Sequence, residues 1–469
     1  MASFDSLRQQ LRDHFKRPPA LDPPGMGVYH YLRQENGSKT RVHLRVEKDD
    51  YGFLLVNASR ILHLNPTAVY MAYLFLEAVP APLAVKKLTA NYQVTREQAQ
   101  QDYDEMSHQL ADLLSPDGSC PGCQLELETI PPFSKHPTAP YRMDLALTYR
   151  CNNNCAHCYN ARPRNGPEMT TDQWKAVIDR LWELRIPHIV FTGGEPTLRS
   201  DLPELIAYAE HNGQITGLNT NGRRLSDPAY LQQLVDSGLD HVQITLESHL
   251  PEVHDEMVRA RGAWQETVTG VRNAVASSLF VMTNTTMLQT NYTTLPATLD
   301  FLAELNVPTI GLNALIYSGK GRTVNTGLDE SLLPPLLTIA RAAVERHGQR
   351  LIWYTPTQYC NFDPEQLELG VKGCTAALYN MCTEPDGSVI PCQSYYSSLG
   401  NILSDPWDSI WNHELAVSLR ERRNLPEACR NCLFLAECGG GCPLAVQAGH
   451  SRPPVAINPL LHEGLEKLL

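Results

Sequence analysis

The central part of the chain alternates between strand-like apolar runs and amphipathic helical stretches. This alternation predicts a parallel sheet, because a chain can pair in parallel with its previous strand only after a crossover, usually a helix. The predicted strands cover residues 143–148, 188–192, 214–220, 241–246, 280–287 and 309–315, and the helices between them cover 171–184, 202–211, 227–237, 264–278 and 292–305. At roughly 30 residues per unit there is room for about six units, fewer than the eight of a closed barrel. We therefore expect an α/β fold with an open, partial (β/α)6 barrel over 143–347.

A short loop with three cysteines follows the first predicted strand, and it reads Cys151-x3-Cys155-x2-Cys158. Three thiolates can hold three irons of a four-iron cube, so the fourth iron is open to a cofactor or substrate. Zinc is the alternative, but structural zinc sites usually have a closed set of four ligands. His157 could be a fourth zinc ligand, yet it lies between two of the cysteines on the same tight loop. The spacing favours an iron–sulfur cluster.

Polar clusters also follow the next three predicted strands. They are Thr192-Gly193-Gly194-Glu195-Pro196, Asn219-Thr220-Asn221-Gly222 and Thr245-Leu246-Glu247-Ser248. Ligands in parallel α/β folds gather at the carboxyl ends of strands, so we expect these clusters and the cysteine loop to share one rim. Ordinary turn and capping residues would explain each cluster alone, since Asn-Gly is a common turn, but they do not explain four together.

The cysteine loop and the Gly-Gly-Glu-Pro motif together resemble the signatures of the radical S-adenosylmethionine (SAM) superfamily. The resemblance implies the partial barrel, a 4Fe-4S cluster bound by Cys151, Cys155 and Cys158, and SAM bound to the open iron. In that superfamily an electron from the cluster cleaves SAM, and the resulting 5′-deoxyadenosyl radical removes a hydrogen atom from the substrate.

The same resemblance implies which residues lie near SAM. The two glycines would let the backbone approach the methionyl amine, and Glu195 would organise the strand end. Thr245 and Glu247 stand where the family often has a serine and an aspartate. Arg259 could meet the SAM carboxylate, although an arginine on a solvated helix is as common. The predicted cofactor-binding residues are Gly193, Gly194, Glu195, Asn219, Thr245, Glu247 and Arg259.

Eight further cysteines begin at Cys360. Most of them follow the pattern Cys374-x12-Gly387-x4-Cys392, then Cys429-x2-Cys432-x5-Cys438-x3-Cys442. Over 373–443 this spacing resembles the SPASM domain, which carries auxiliary iron–sulfur clusters in peptide-modifying radical SAM enzymes. Pro385-Asp386-Gly387 predicts a hairpin turn that returns Cys392 toward Cys374. The resemblance implies one cluster on Cys374, Cys392 and Cys442 and a second on Cys429, Cys432 and Cys438.

The chain departs from the SPASM pattern in one respect, because the seventh cysteine expected after Cys442 is absent: the remaining 469 − 442 = 27 residues contain none. Cys360 and Cys382 are spare thiols, and either could complete the first cluster. The second cluster would then have an open iron or a non-cysteine ligand such as His450. A spare thiol could instead donate a hydrogen atom to a substrate radical, or be buried, as cysteines commonly are. We expect one or two auxiliary clusters.

The amino-terminal region, 28–116, predicts a separate small α+β domain with strands at 28–33, 42–46 and 52–57 and helices at 66–76, 83–91 and 95–114. Asn36-Gly37 predicts a hairpin turn. With Phe53-Leu-Leu-Val-Asn57, Leu64-Asn65 and Gln98-Ala-Gln-Gln-Asp102, this region resembles the winged-helix domain that binds leader peptides in ribosomal peptide-modifying systems, where the leader adds as a strand to the sheet edge. A plain winged helix or an uninvolved small domain is the alternative.

The other predicted segments are a flexible N-terminus (1–27), a linker rich in Pro, Gly and Ser (117–142), the SPASM-type domain (348–450) and a tail (451–469). The linker contains Cys120-Pro-Gly-Cys123, a pair that could bind metal or form a redox couple but has no partner pair nearby in sequence. We expect it to lie at the surface, and no role is assigned to it.

Composition limits the classes of function. The net charge is −12 without long runs of one sign, which argues against nucleic acid as a partner. No stretch approaches eighteen apolar residues, so no membrane span is expected. The first residues lack the basic and apolar regions of a secretion signal. Thirteen cysteines in such a chain point to metal ligands instead of disulfides, and to a reducing cytoplasm.

These features together predict a radical SAM enzyme that modifies a ribosomally synthesised precursor peptide by a cross-link or another oxidative change. The predicted partners are the precursor peptide, bound by the N-terminal domain, and an electron donor such as flavodoxin or ferredoxin. Alternatives are maturation of a protein, tetrapyrrole or quinone precursor, or a non-catalytic metal-binding interaction protein. No catalytic base is assigned, because acids such as Glu384, Asp386 and Asp255 are expected to be solvated or turn residues.

Overall fold

The computed structural model describes residues 22–35, 38–57, 60–114, 137–423 and 425–449. Several predictions concern residues outside these ranges: the Asn36-Gly37 turn, Cys120 and Cys123, His450, and most of the N-terminus, linker and tail. Contacts divide the chain into two compact units, Met1–Thr138 and Ala139–Leu469. Within the described ranges, no helix is both long and apolar enough to cross a membrane.

The first unit contains a four-stranded antiparallel sheet followed by three helices. The strands pair in chain order, β1 Gly27–Glu35, β2 Ser38–Val46, β3 Gly52–Val56 and β4 Arg60–Leu64, and the helices are α1 Pro66–Leu76, α2 Ala81–Asn91 and α3 Arg96–Leu114. The expected small α+β domain is therefore confirmed. The sequence does not predict β4, because this five-residue strand turns only Leu62 and Leu64 toward the core.

The sheet and the helices of the first unit share one hydrophobic core. Helix α1 is buried along most of its length, and it begins where the Oδ1 atom of Asn65 accepts a hydrogen bond from the amide of Ala68 at 2.8 Å. Pro66 occupies the first helical position, where no amide hydrogen is needed. Alternate residues of β2 join the same core: Val42, Leu44 and Val46.

The second unit is built on a ten-stranded sheet. Seven strands are parallel neighbours in chain order: β5 Arg142–Thr148, β6 His188–Gly193, β7 Ile215–Thr220, β8 His241–Thr245, β9 Phe280–Thr286, β10 Thr309–Asn313 and β11 Arg350–Trp353. The helices between them are α4 Thr171–Glu183, α5 Leu202–Asn212, α6 Pro228–Asp236, α7 Pro251–Val258, α8 Ala263–Val275, α9 Leu295–Glu304 and α10 Leu333–His347. The α/β class with a partial barrel is confirmed. The sequence does not predict β11, because four residues are too short to show a period.

The amino-terminal ends of the barrel strands carry polar side chains that pair with one another. The Nε2 atoms of His188 and His241 lie 2.9 Å apart, and a Cβ atom on Gly217 would fall 2.1 Å from the His241 ring. Arg142 and Asp144 form an ion pair of 2.9 Å beside them on β5. Burial lowers the pKa of His241 to about 4. These paired groups occupy the amino-terminal ends of the strands, whereas the predicted site residues follow the carboxyl ends.

The cysteine-rich region continues the barrel sheet on its far side. Strand β12 Asn380–Thr383 pairs in parallel with β5, and β13 Ser388–Ile390 and β14 Gly400–Asn401 follow in antiparallel order. The predicted turn is present, because the amide of Gly387 donates to Glu384 O at 3.0 Å and Gly387 has a φ of 88°. Four short helices complete the region: α11 Trp407–Trp411, α12 Glu414–Arg420, α13 Leu435–Cys438 and α14 Pro443–Gln447. The SPASM-type segment is thus joined directly to the first barrel strand.

Candidate active site

The structure brings the predicted polar clusters to the carboxyl ends of four neighbouring strands. The cysteine loop follows β5, the glycine motif ends β6, Asn219 lies near the end of β7, and Thr245 ends β8. Asn219 and Thr245 are half-buried. Arg259 is exposed just after α7, where its backbone has a φ of 50°. Whether these three side chains touch SAM stays a prediction.

The cysteine loop has no regular secondary structure and is fastened to the end of α7. The amides of Asn154 and Ala156 donate to the carbonyl oxygens of Val258 and Met257, each at 2.9 Å. These two carbonyls belong to the last turn of α7, where helix carbonyl groups have no partner within the helix. The loop and the helix end therefore satisfy each other.

Three cations also hold the loop, and the sequence analysis missed all of them. Arg164 donates to Cys151 O at 3.0 Å, and Arg223 donates to Asn152 O at 2.7 Å. The Nζ atom of Lys320 lies 2.5 Å from Asn154 Oδ1 and 3.5 Å from Cys155 O. The three residues come from three separate segments, so no local motif marks them. Their positive charges favour thiolates and an anionic cluster on the loop.

The three thiols of the loop fit a cluster. Burial raises the pKa of Cys151 to about 11. Burial, followed by the charges of Cys158, Glu247 and Cys151, raises the pKa of Cys155 well above the ordinary range. Such thiols ionise when a metal supplies positive charge, and they lie close enough for the charge of one to raise the pKa of another. In the described part of the chain no three potential ligands converge on one metal ion; a four-iron cube needs wider spacing, because each sulfur binds a different iron.

Gly193 and Gly194 permit a close approach between two backbones. A Cβ atom on Gly193 would lie 2.2 Å from Thr148 O, and one on Gly194 would lie 2.3 Å from Arg150 O. Gly193 also has a φ of 132°, which side chains rarely tolerate. The strand end of β6 thus packs directly on the chain that leads into the cysteine loop. The predicted approach of these glycines to the SAM amine stays a prediction.

Glu195 is fully buried and ties the end of β6 to the end of β7. Its Oε1 atom accepts hydrogen bonds from the hydroxyl of Thr197 at 2.6 Å and of Thr220 at 2.7 Å, and its Oε2 atom accepts from the amide of Asn221 at 2.8 Å. Burial raises the pKa of Glu195, while these hydrogen bonds oppose the shift. Glu195 thus links the two strand ends, and its role in the SAM site stays a prediction.

Glu247 is also buried, and it ties β8 to the cysteine loop. Its Oε1 atom lies 3.0 Å from Nε2 of His157, and its Oε2 atom accepts from the amide of Thr286 at 2.8 Å. Both carboxylate oxygens therefore face protein groups. His157 is turned to this carboxylate, so Glu247 acts on the loop through His157.

A second polar cluster, absent from the sequence analysis, lies between the loop and the C-terminal hairpin. Glu384 accepts two hydrogen bonds from Arg162, at 2.8 and 2.7 Å, and one from Tyr149 at 3.0 Å. The Arg162 guanidinium lies 5.3 Å from the ring centre of Tyr396. Glu384 is a turn residue, since its carbonyl oxygen accepts from the amide of Gly387, but it is not solvated, because it is 3% exposed and both carboxylate oxygens are paired. Its partners lie more than 200 residues away in sequence, so no local pattern announces them.

The other two acids expected to be solvated or turn residues are turn and capping residues. Asp386 accepts from the amide of Ser388 at 2.9 Å, within the hairpin turn. Asp255 accepts from the amides of Gly262 and Trp264, at 2.5 and 2.8 Å, at the start of α8.

The C-terminal cysteines form two groups. In the first group, burial raises the pKa of Cys374, and the nearby thiolates of Cys442 and Cys392 raise it further. The second group contains Cys429, Cys432 and Cys438, since burial and then the charges of Cys438 and Cys432 raise the pKa of Cys429.

The two spare thiols, Cys360 and Cys382, lie in different parts of the region. Cys360 lies with the second group, whereas the sequence-based hypothesis allowed it to complete the first. Cys382 lies in β12, where it is 1% exposed and opposite Asp144. Burial is the largest cause that raises the pKa of Cys382. The charges of Asp144 and Glu384 come next, and the charge of Cys392 contributes less.

Comparison with known proteins agrees with this site. The sequence matches the radical SAM superfamily over residues 145–302 and the iron–sulfur cluster-binding SPASM domain over residues 374–433. Fe-coproporphyrin III synthase of Methanosarcina barkeri is 30% identical over 333 residues, which cover 64% of this chain and 83% of that protein. PqqA peptide cyclase of Bradyrhizobium diazoefficiens is 29% identical over 346 residues, covering 70% of this chain and 89% of the cyclase.

Two solved structures share the fold. Streptococcus suis SuiB bound to its precursor peptide SuiA matches with a TM-score of 0.65 at 15% identity, covering 88% of this chain and 96% of SuiB. The enzyme anSMEcpe with bound AdoMet and a peptide matches with a TM-score of 0.53 at 17% identity, covering 65% and 89%. The predicted cofactors, SAM with a 4Fe-4S cluster and auxiliary iron–sulfur clusters, are confirmed by the two domain matches. The chain belongs to the radical SAM superfamily, and it carries a SPASM domain.

Proposed function

We propose that this enzyme modifies a ribosomally synthesised precursor peptide by forming a cross-link or another oxidised product. The observation that carries the proposal is the set of parts on one chain: a small antiparallel-sheet unit, a radical SAM barrel and a SPASM region. SuiB, which was solved with a precursor peptide, matches 88% of this chain. PqqA peptide cyclase supports the same substrate class by its name.

The residues at the rim position the reactants. Cys151, Cys155 and Cys158 would hold the cluster, and bound SAM with its reduced cluster supplies a 5′-deoxyadenosyl radical. Glu195 fixes the ends of β6 and β7, and Glu247 fixes His157 within the loop. The polar clusters and the cysteine loop lie at the carboxyl ends of the strands, so the substrate would enter from that side. A soluble one-electron donor such as flavodoxin or ferredoxin would reduce the cluster.

The experiment that tests the chemistry is anaerobic reconstitution with dithionite, SAM and the peptide encoded by a short reading frame beside the gene. We expect 5′-deoxyadenosine and a peptide that has lost hydrogen, both detected by mass spectrometry. Cys155→Ala should abolish both products, while Cys382→Ala should keep SAM cleavage. SAM cleavage without any change in the peptide would contradict the proposed substrate. If SAM were not cleaved at all, the proposal that the chain is a radical SAM enzyme would be contradicted.

The first unit offers a place for the leader of the peptide. Its described sheet ends in β1 on one side and β4 on the other, and an extended peptide can add to such an edge. Ile61 in β4 is a large apolar residue with 43% exposure, and it faces away from the core that Leu62 and Leu64 join. We place the leader along β4, beside Ile61.

Ile61→Glu should therefore weaken binding of the peptide by about tenfold, because a loss of about 1.4 kcal/mol of apolar contact is a factor of ten. Binding to the full chain can be measured by fluorescence anisotropy of a labelled peptide. Leu403→Glu is the matched control, since Leu403 is 41% exposed in the other unit and should leave binding unchanged. Equal affinities for the two variants would place the leader elsewhere.

A tetrapyrrole precursor is the second candidate, because Fe-coproporphyrin III synthase is the relative at 30% identity. That alignment leaves 100 − 64 = 36% of this chain unmatched. Incubating the reconstituted enzyme with SAM and iron coproporphyrin III distinguishes the two, since a change in the mass of the tetrapyrrole would favour this candidate over the peptide.

A further inference from the structure

The segment just before Cys360 is bound to the second group of cysteines. The amide of Tyr359 donates to Cys438 Sγ at 3.4 Å, and the thiol of Cys438 lies 3.6 Å from Thr357 O. Gln358 donates through Nε2 to Gly440 O at 3.1 Å. Three consecutive residues of this segment thus contact the chain around Cys438, although about 80 residues separate them in sequence.

The glycine run after Cys438 is what lets the two segments come so close. A Cβ atom on Gly441 would fall 2.6 Å from Cγ of Gln358, and Gly441 has a φ of 79°. The rings of Tyr359 and Phe434 lie 6.2 Å apart and pack the other side of the contact. The position of Cys360, the next residue along the chain, is therefore set by packing at the second group.

The backbone turns at Cys360 itself, because the amide of Asn361 donates to Gln358 O at 2.9 Å. The amide of Cys432 donates to Cys429 O at 3.2 Å, which keeps those two residues on one tight turn. Cys360 is exposed overall, so the group lies near the surface of the unit.

We propose that Cys360 is the fourth ligand of the second auxiliary cluster, together with Cys429, Cys432 and Cys438. Cys360 lies upstream of the SPASM motif and takes the place of the cysteine expected after Cys442. The second cluster is then closed by four protein sulfurs, so the open iron or non-cysteine ligand expected for it is not needed.

Cys382, the other spare thiol, is held apart from the second group by its strand. It pairs with Asp144 across β12 and β5, and its thiol lies 3.7 Å from Thr383 O. It is therefore a matched control, a buried cysteine in the same region that the proposal leaves unligated. The proposal rests on the SPASM clusters and not on the peptide substrate.

The test counts clusters in a background that lacks the SAM-binding cluster, Cys151→Ala with Cys155→Ala and Cys158→Ala. This parent is reconstituted anaerobically with iron and sulfide, and its iron content and EPR spectrum after dithionite reduction are measured. Two four-iron clusters correspond to about eight irons per chain. Adding Cys360→Ala should remove up to about half of the iron or replace one of the two EPR signals, and adding Cys382→Ala should change neither.

Cys360→Ser keeps the protein testable if the alanine variant does not fold, because a serine oxygen can ligate iron in place of sulfur. We expect the serine variant to keep its iron and to shift one EPR signal. Iron content and spectra equal to those of the parent in the Cys360 variants would overturn the proposal. So would loss of the same EPR signal in Cys382→Ala, or a parent that binds no auxiliary cluster. Neither SAM nor peptide enters the assay, so a wrong peptide assignment leaves its result unchanged.

Discussion

At the rim of the barrel, two buried carboxylates accept hydrogen bonds from neighbouring strand ends instead of facing open space. Glu195 and Glu247 are 0% and 1% exposed, and each joins two elements. A carboxylate with both oxygens paired can hold its neighbours in place. Both glutamates therefore position the strand ends and the loop, and whether either also contacts SAM stays a prediction.

Gly194→Ala should destabilise the cluster-free protein by about 1–3 kcal/mol, because its Cβ atom would press on Arg150 O at 2.3 Å and on Tyr149 O at 2.6 Å. Urea unfolding measures this loss. Gly166→Ala is the control, since its nearest contact is Pro163 O at 3.8 Å, and it should change stability by less than about 0.5 kcal/mol. Equal stability of the two variants would show that the backbones are not in close contact.

The buried His241 predicts a pH dependence. Its pKa falls from the ordinary 6.5 to about 4 because burial disfavours the charged form. Between these values the unfolded chain binds a proton at this histidine, whereas the folded protein does not. The free energy of unfolding therefore falls as the pH falls through this window, by up to about 3 kcal/mol. His241→Gln should flatten urea unfolding free energies over this range, and exposed His347→Gln should not. A steep curve that persists in His241→Gln would contradict this assignment.

At the scale of elements, the cysteine loop depends on the parts that surround it. It lacks helix or strand hydrogen bonds of its own, and its amides bind the end of α7 while its carbonyls bind cations. Lys320, which binds Asn154, lies in the 3₁₀ helix Gly319–Arg322, more than 150 residues away in sequence. A loop held in this way is ordered before any cofactor binds, which reduces the entropy lost on binding.

Lys320→Met should loosen this loop in the cluster-free protein. Loss of the lysine hydrogen bonds removes about 1 kcal/mol of local stability, which corresponds to about fivefold faster exchange. Hydrogen exchange of the amides of Asn154 and Ala156 reports it. Lys175→Met is the matched control, because Lys175 binds Glu204 between α4 and α5. Unchanged exchange at the loop in Lys320→Met would mean that α7 alone orders it.

At the scale of the whole chain, the second unit joins its barrel to its cluster-binding region through both backbone and side chains. Strand β12 extends the barrel sheet, and Glu384, at its end, binds Arg162 and Tyr149 from either side of the cysteine loop. The two kinds of cluster therefore belong to one folded body within this unit, and the distance between them is set by a sheet.

Glu384→Gln should reduce the stability of the second unit by about 1–3 kcal/mol, because a bidentate ion pair with a buried carboxylate is lost. The loss is limited because the Arg162 side chain is partly exposed and stays partly hydrated. Adding Arg162→Met should recover part of the loss, since no unpaired cation then remains. Thermal or urea unfolding measures both. Glu204→Gln, which breaks an exposed ion pair with Lys175, should cost less than about 0.5 kcal/mol. A similar loss in both single variants would contradict the buried role of Glu384.

The sequence predicted those parts of the site that depend on residues close together in the chain. Six strand–helix units, the cysteine loop and the glycine motif could be located because period, spacing and turn residues are short-range features. Strand β4 was missed because only Leu62 and Leu64 of its residues face the core, and β11 was missed because four residues are too short to show a period. The cations around the loop were missed for another reason, since each reaches it from a distant segment and forms no motif with it.

Cysteine spacing by itself pointed to iron–sulfur clusters, because ligand chemistry follows from a few residues at fixed intervals. SAM was implied by the resemblance of the cysteine loop and the Gly-Gly-Glu-Pro motif to the radical SAM signatures. Only the tertiary structure showed that the segment before Cys360 contacts Cys438, and that Glu384 is buried instead of solvated. Those outcomes depend on segments about 80 to more than 200 residues apart meeting in space. Spacing along a chain does not carry that information, because contacts between distant segments are set by how the sheet and the helices pack.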